Sequence, residues 1–159
     1  MMTSLAFGSS NKTGDKVLVQ LMKSKLEESN YVAMAFSDDR NMGDDAVFAC
    51  SRAWTIMDND NNTWNQIHVF LNEEKNPSPV TLEVYTMEVV DQDSFLNCLF
   101  LVPKDLVVKG KLFDLGKGHH ILLASGMTKG DELIKHDDKV ASKYKFGEPG
   151  NETGRYITF

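Results

Sequence analysis

Apolar and polar residues alternate with a period of two along most of this chain. KVLVQLMK (16–23), YVAMAFS (31–37), AVFACSR (46–52), NQIHVFL (65–71), VTLEVYTMEVV (80–90), SFLNCLFLVP (94–103) and HHILLASG (119–126) each read as a strand bounded by Gly, Asn, Asp, Pro or Ser. Seven or more short strands at regular spacing predict an all-β fold, a sandwich or a closed barrel. Lys23 to Ser29 reads as a polar turn, and the acidic, Asn-rich stretch Asp58 to Asn65 as a hairpin tip. After Gly126 the alternation fades. KGDELIKHDDK and the Gly/Pro-rich FGEPGNETG predict loop and short strand over one end of the sandwich, then a fraying tail.

At 159 residues and 17.9 kDa the chain holds one domain with a full core. Its expected limits are a flexible segment at 1–15, a sandwich at 16–146 and a tail at 147–159. No internal period of 20 to 50 residues marks a solenoid. Net charge of -6 argues against a nucleic-acid partner, because affinity for the phosphate backbone comes from clustered Lys and Arg. No run approaches the roughly 18 apolar residues of a spanning helix, so no direct membrane insertion is expected. MMTSLAFGSSNK lacks the basic and apolar regions of a secretory leader, which implies either a cytosolic protein or a missing N-terminus.

Two features favour the second choice. Asn11, Asn61 and Asn151 each begin an Asn-x-Thr glycosylation triplet in a polar, turn-like stretch. The two cysteines, Cys50 and Cys98, each lie inside a predicted strand. They are either buried thiols, packed as small hydrophobes, or one strand-to-strand disulfide of an oxidising compartment.

Candidate chemistry is sparse. No G-x-S-x-G is present, and no Ser or Cys stands in a turn beside a base. Asp38, Asp39, Asp44 and Asp45 form an acidic loop without the D-x-D-x-D-G spacing that wraps oxygens around calcium. His119 and His120 are adjacent in a strand and point to opposite faces, so they cannot share a metal; His68 lies mid-strand. Met42 is a thioether in a polar loop where turn chemistry favours Asn, Asp or Gly, and His136 sits in the polar stretch IKHDD. A thioether and an imidazole on two loops can fill both axial positions of a haem iron. That arrangement suits electron transfer rather than oxygen binding. There is no C-x-x-C-H, so covalent attachment is not expected.

YVAMAFSDDRNMGDDAVFAC (31–50) resembles the signature of DOMON domains, in which an apolar strand is followed by a Met-Gly loop and a strand ending in Cys. NCLFLVP, HHILLASG and GDELIKHDDKVASKYKF follow in the family's order, so the resemblance covers about 16–146, and it is nearest to the ferric-chelate reductase group. It implies an immunoglobulin-like antiparallel β-sandwich that binds one haem b between Met42 and His136, the latter ten residues after Gly126. It also implies a Cys50–Cys98 disulfide, an extracellular or luminal location, and single-electron transfer in ferric-chelate or ascorbate-linked reduction. The chain would then be an electron-transfer module, not a complete enzyme. Its redox partner would be a transmembrane cytochrome b module, which the sequence up to Phe159 does not contain. The alternative implied by haem-free relatives is a protein- or small-ligand-binding module accessory to a membrane protein. A third reading is a sandwich without a ligand, its Met42 packed in the core. Ser125 departs from the family, which often has an aromatic residue there.

Overall fold

The computed structural model describes residues 3–9, 16–24, 30–41, 43–57, 59–60, 63–73, 76–80, 84–92, 95–143, 145 and 155–158. The strands, in chain order, are β1 Thr3–Ser9, β2 Lys16–Ser24, β3 Asn30–Ser37, β4 Asp45–Ser51, β5 Thr55–Met57, β6 Thr63–Asn65, β7 His68–Glu73 and β8 Asn76–Val80. They continue with β9 Tyr85–Gln92, β10 Phe95–Pro103, β11 Asp105–Val108, β12 Lys111–Asp114, β13 His120–Lys129, β14 Glu132–Ala141 and β15 Arg155–Thr158. One turn of 3-10 helix, Arg52–Trp54, precedes β5. Among the described residues there is no α-helix, and no helix is long and apolar enough to cross a membrane.

Two antiparallel sheets carry the architecture. One runs β15-β1-β2-β10-β9 and the other β14-β13-β3-β4-β7-β8, with β11–β12 and β5–β6 as separate ribbons. The period-two pattern dictates which side chains meet. Val17, Val19 and Leu21 of β2 and Leu96, Cys98, Phe100 and Val102 of β10 turn inward against Val32, Met34 and Phe36 of β3 and Ala46, Phe48 and Cys50 of β4. Phe48 bridges the layers, its ring 6.0 Å from Phe36 and 5.8 Å from Phe100. This is the all-β sandwich that the alternation predicts.

The six-stranded sheet is buried on its other face as well. Tyr31, Ala33, Ala35, Val47, Ala49, Phe70 and Leu122, with Trp54, form a second apolar cluster there, and Leu133 and Ala141 of β14 pack against it. A strand buried on both faces loses its alternation, as the uniformly buried β4 does. Cys50 and Cys98 form a disulfide between β4 and β10, joining the two sheets across a sequence separation of 48.

Several segments read as loop or flexible end are strands. β1 pairs with both β2 and β15, so residues within 1–15 and 147–159 contribute to the five-stranded sheet. The polar stretch after Gly126 is the second half of a long hairpin, β13–β14, and His136 therefore lies in a strand and not in a loop. The pattern missed β14 because it is an edge strand, where polar side chains meet water and blunt unwanted pairing. β8, NPSPV, escaped for the same reason: its two prolines are tolerated because an edge strand donates to only one neighbour.

Candidate functional site

The surroundings of His136 are built by the β13–β14 hairpin. Gly130 turns the chain with φ of 60°, a left-handed conformation that glycine adopts without strain. The strands then pair back, placing His136 opposite Gly126, which in turn faces Tyr31 of β3. Cross-strand partners share a face, so His136 stands on the outer face with Tyr31, half-buried. Register shifts lie on both sides of the Gly126–His136 pair. Such bulges bend a strand and re-aim its side chains.

Two hydrogen bonds fasten the hairpin to the outer face. The Tyr31 hydroxyl donates to the carbonyl of Ile134 at 3.2 Å, two residues before His136. The Trp54 indole N–H donates to the Gly130 carbonyl at 2.9 Å. Trp54 also stacks on His68, with ring centroids 3.9 Å apart and an interplanar angle of 10°. Burial against that indole holds the His68 imidazole below its ordinary pKa, and the nearby Asp131 opposes the shift. On the inner face, the buried ammonium of Lys23 donates to Ser125 Oγ at 3.0 Å, linking β2 to β13. Lys23 occupies the inward phase of KVLVQLMK, a signal that the period-two reading already contained.

Met42 lies outside the described residues, but the loop around it does not. Asn41 N–H donates to Asp39 Oδ1 at 2.7 Å and Gly43 N–H to Asp45 Oδ2 at 3.0 Å. Asp44 N–H donates to the Asn72 carbonyl, and the Lys111 ammonium to the Asp44 carbonyl. Asp45 is buried, which pushes its carboxyl pKa up. The hydrogen bonds from Gly43 and Ser37 pull the other way. These residues sit where β3 ends and β4 begins. His136 stands in the row of Tyr31, six residues before Ser37, or about 20 Å along the strand at ~3.3 Å per residue.

The histidine at the loop's end of the sheet is His119. Its Nδ1 is 3.5 Å from Asp38 Oδ1 and its Nε2 is 2.7 Å from the carbonyl of Asp114, while Phe36 packs edge-on against the ring at 6.2 Å. His120 points the other way, its Nδ1 3.2 Å from the Ser142 carbonyl. The opposed pair follows from adjacency in the sequence; that His119 is buried does not. Among the described residues no group of three or more His, Cys, Asp or Glu is arranged to hold a metal ion. The glycosylation triplets at Asn11, Asn61 and Asn151 begin outside the described residues.

Over 136 residues, 82% of its length, the chain is 27% identical to a Xenopus laevis protein named "Putative ferric-chelate reductase 1". It spans about a fifth of that relative, 20% of the length. No family model matches the chain. No solved structure matches it. The similarity is therefore to one region of a ferric-chelate reductase-like protein.

Proposed function

We propose that this chain is an extracytoplasmic electron-transfer domain of the DOMON type, holding one b-type haem through His136 and Met42 and serving ferric-chelate or ascorbate-linked reduction. The observation that carries the reading is the placement of His136: half-buried on an apolar face and opposite a glycine, in a hairpin tied down by Tyr31 and Trp54. The similarity to a ferric-chelate reductase-like protein supports the same direction. A haem held there would supply a one-electron couple, with a Met ligand raising its potential. Tyr31, Ala33, Ala35 and Leu122 form a buried apolar layer on the same face, and the Tyr31–Ile134 bond positions the backbone beside His136.

The fit is stronger for His136 than for its partner. His136 and Met42 would hold one group together only with the loop from Asp38 to Asp44 folded back along the outer face, because two side chains meet only where their backbones come within two side-chain lengths. In this reading the electron partner is a transmembrane cytochrome b module. The disulfide suits an oxidising compartment, extracellular or luminal, as does the use of the three Asn-x-Thr triplets.

One observation favours a second reading, a haem-free module that binds a protein or small ligand as an accessory to a membrane protein. The described residues of the Met42 loop are tied to one another and to the sheet end remote from His136. Haemin titration of the purified chain separates the two. A sharp low-spin Soret band that survives reduction supports the first, and its absence at saturating haemin supports the second.

A further inference from the structure

The tautomer of His119 is fixed by its surroundings. Nε2 lies 2.7 Å from the Asp114 carbonyl oxygen, which can only accept, so Nε2 carries the N–H and the neutral ring presents a bare lone pair at Nδ1. The turn that holds Asp114 is itself well determined. Gly116 N–H donates to Asp114 Oδ1 at 2.9 Å and Lys117 N–H to the Asp114 carbonyl at 3.1 Å. A Cβ at Gly116 would lie 2.8 Å from Lys104 Cε, the far end of a flexible side chain that can move aside.

Nδ1 is buried and has no hydrogen-bond partner among the described residues, an arrangement that is costly for a polar atom. What it faces is the Asp38 carboxylate, 3.5 Å away on a largely exposed side chain. That separation is long for a hydrogen bond, whose ordinary range ends near about 3.2 Å. It matches another geometry. Two ligands bound at about 2.1 Å to one tetrahedral ion stand about 3.4 Å apart.

The geometry points to a divalent transition-metal site in which His119 Nδ1 and Asp38 Oδ1 bind one ion, solvent completing its shell. The Nε2–H to carbonyl bond is the outer contact that orients metal-ligating histidines and fixes their tautomer. The imidazole and carboxylate donor set suits zinc and its first-row neighbours rather than calcium or magnesium. With two protein ligands the site is of modest affinity, and exposure of the Asp38 side chain gives the ion its entry path. It lies at the sheet end remote from His136 and is tested in the haem-free chain, since the loop movement that the haem reading requires would carry Asp38 away from His119.

Zinc chloride titrated into the haem-free chain, followed by calorimetry, tests the site. One equivalent should bind, and Asp38→Asn should weaken it at least tenfold, as should His119→Gln. Glu132→Gln, exposed at the other end of β13–β14, should leave it unchanged. Because His119 is buried, His119→Gln could fail to fold; Asp38→Asn, on an exposed side chain, carries the test alone. Cobalt substituted at the same stoichiometry should give the visible spectrum of a tetrahedral N/O site. Binding unaffected by Asp38→Asn overturns the assignment. So does an absence of binding, with a proton found on Nδ1 by nitrogen NMR, since the contact is then an imidazolium–carboxylate pair.

Discussion

His136 and Gly126 are cross-strand partners in the β13–β14 hairpin, equidistant from its turn at Asp131. The ten-residue interval between them, which in the sequence is only a spacing, is the length of chain needed to leave a position, turn and return beside it. Gly130 makes the turn with φ of 60°. Gly130→Ala should therefore cost about 1 kcal/mol, the usual penalty for a Cβ in left-handed backbone, read as a lower urea midpoint at unchanged slope. No loss would mean that the turn is made otherwise.

The Cys50–Cys98 bond closes 47 intervening residues and ties the two sheets together. In the chain-entropy model, removing it costs about 4 kcal/mol. Cys50→Ser/Cys98→Ser should lose stability on that scale in urea unfolding. Mass measurement of protein from an oxidising compartment should find no free thiol before reduction and two after.

His68 should make the protein acid-sensitive. Its folded pKa lies below the ordinary 6.5, so its contribution to stability is fully present above that value and is lost as pH falls through the lowered one. His68→Phe keeps the stack on Trp54 and removes the titration. Urea midpoints compared at neutral pH and at about pH 5 should fall more in the parent than in this variant.

Asp45 acts in the opposite sense. Its folded pKa is raised above 3.8 by burial, so its contribution is fully present below that value and is lost as pH rises through the raised one. Asp45→Asn, which cannot ionise, should gain relative to the parent as pH rises from about 3.5 to neutrality. Equal pH dependence in the two proteins would show that the carboxyl is hydrated.

How much of this was legible in the sequence depends on whether a strand has one wet face and one dry one. β2 and β10 alternate between buried and half-buried positions and are read directly, and the interior position of Cys98 follows from them, whereas β3 and β4, buried on both faces, show as short apolar runs. β14 could not be read this way, because an edge strand written ELIKHDDKVA has polar residues on both faces, so His136 looked like a loop histidine. β1 and β15 support each other across the whole length of the chain, a pairing that no local pattern announces. Of the candidate site, the residue types at Met42 and His136 were visible, but not the register that sets His136 beside Tyr31. Adjacency in the sequence shows that His119 and His120 point apart and cannot share a metal, but not that this brings the His119 imidazole to Asp38.

In the proposed function His136 is an iron ligand. Haemin titrated into the parent chain and into His136→Ala and Met42→Ala, followed through the Soret band in both oxidation states, tests it most directly. One low-spin haem per chain is expected in the parent, with loss of that spectrum in both variants, each remaining folded by circular dichroism. A parent that takes up no haem, or a His136→Ala protein with an unchanged low-spin spectrum, would contradict it.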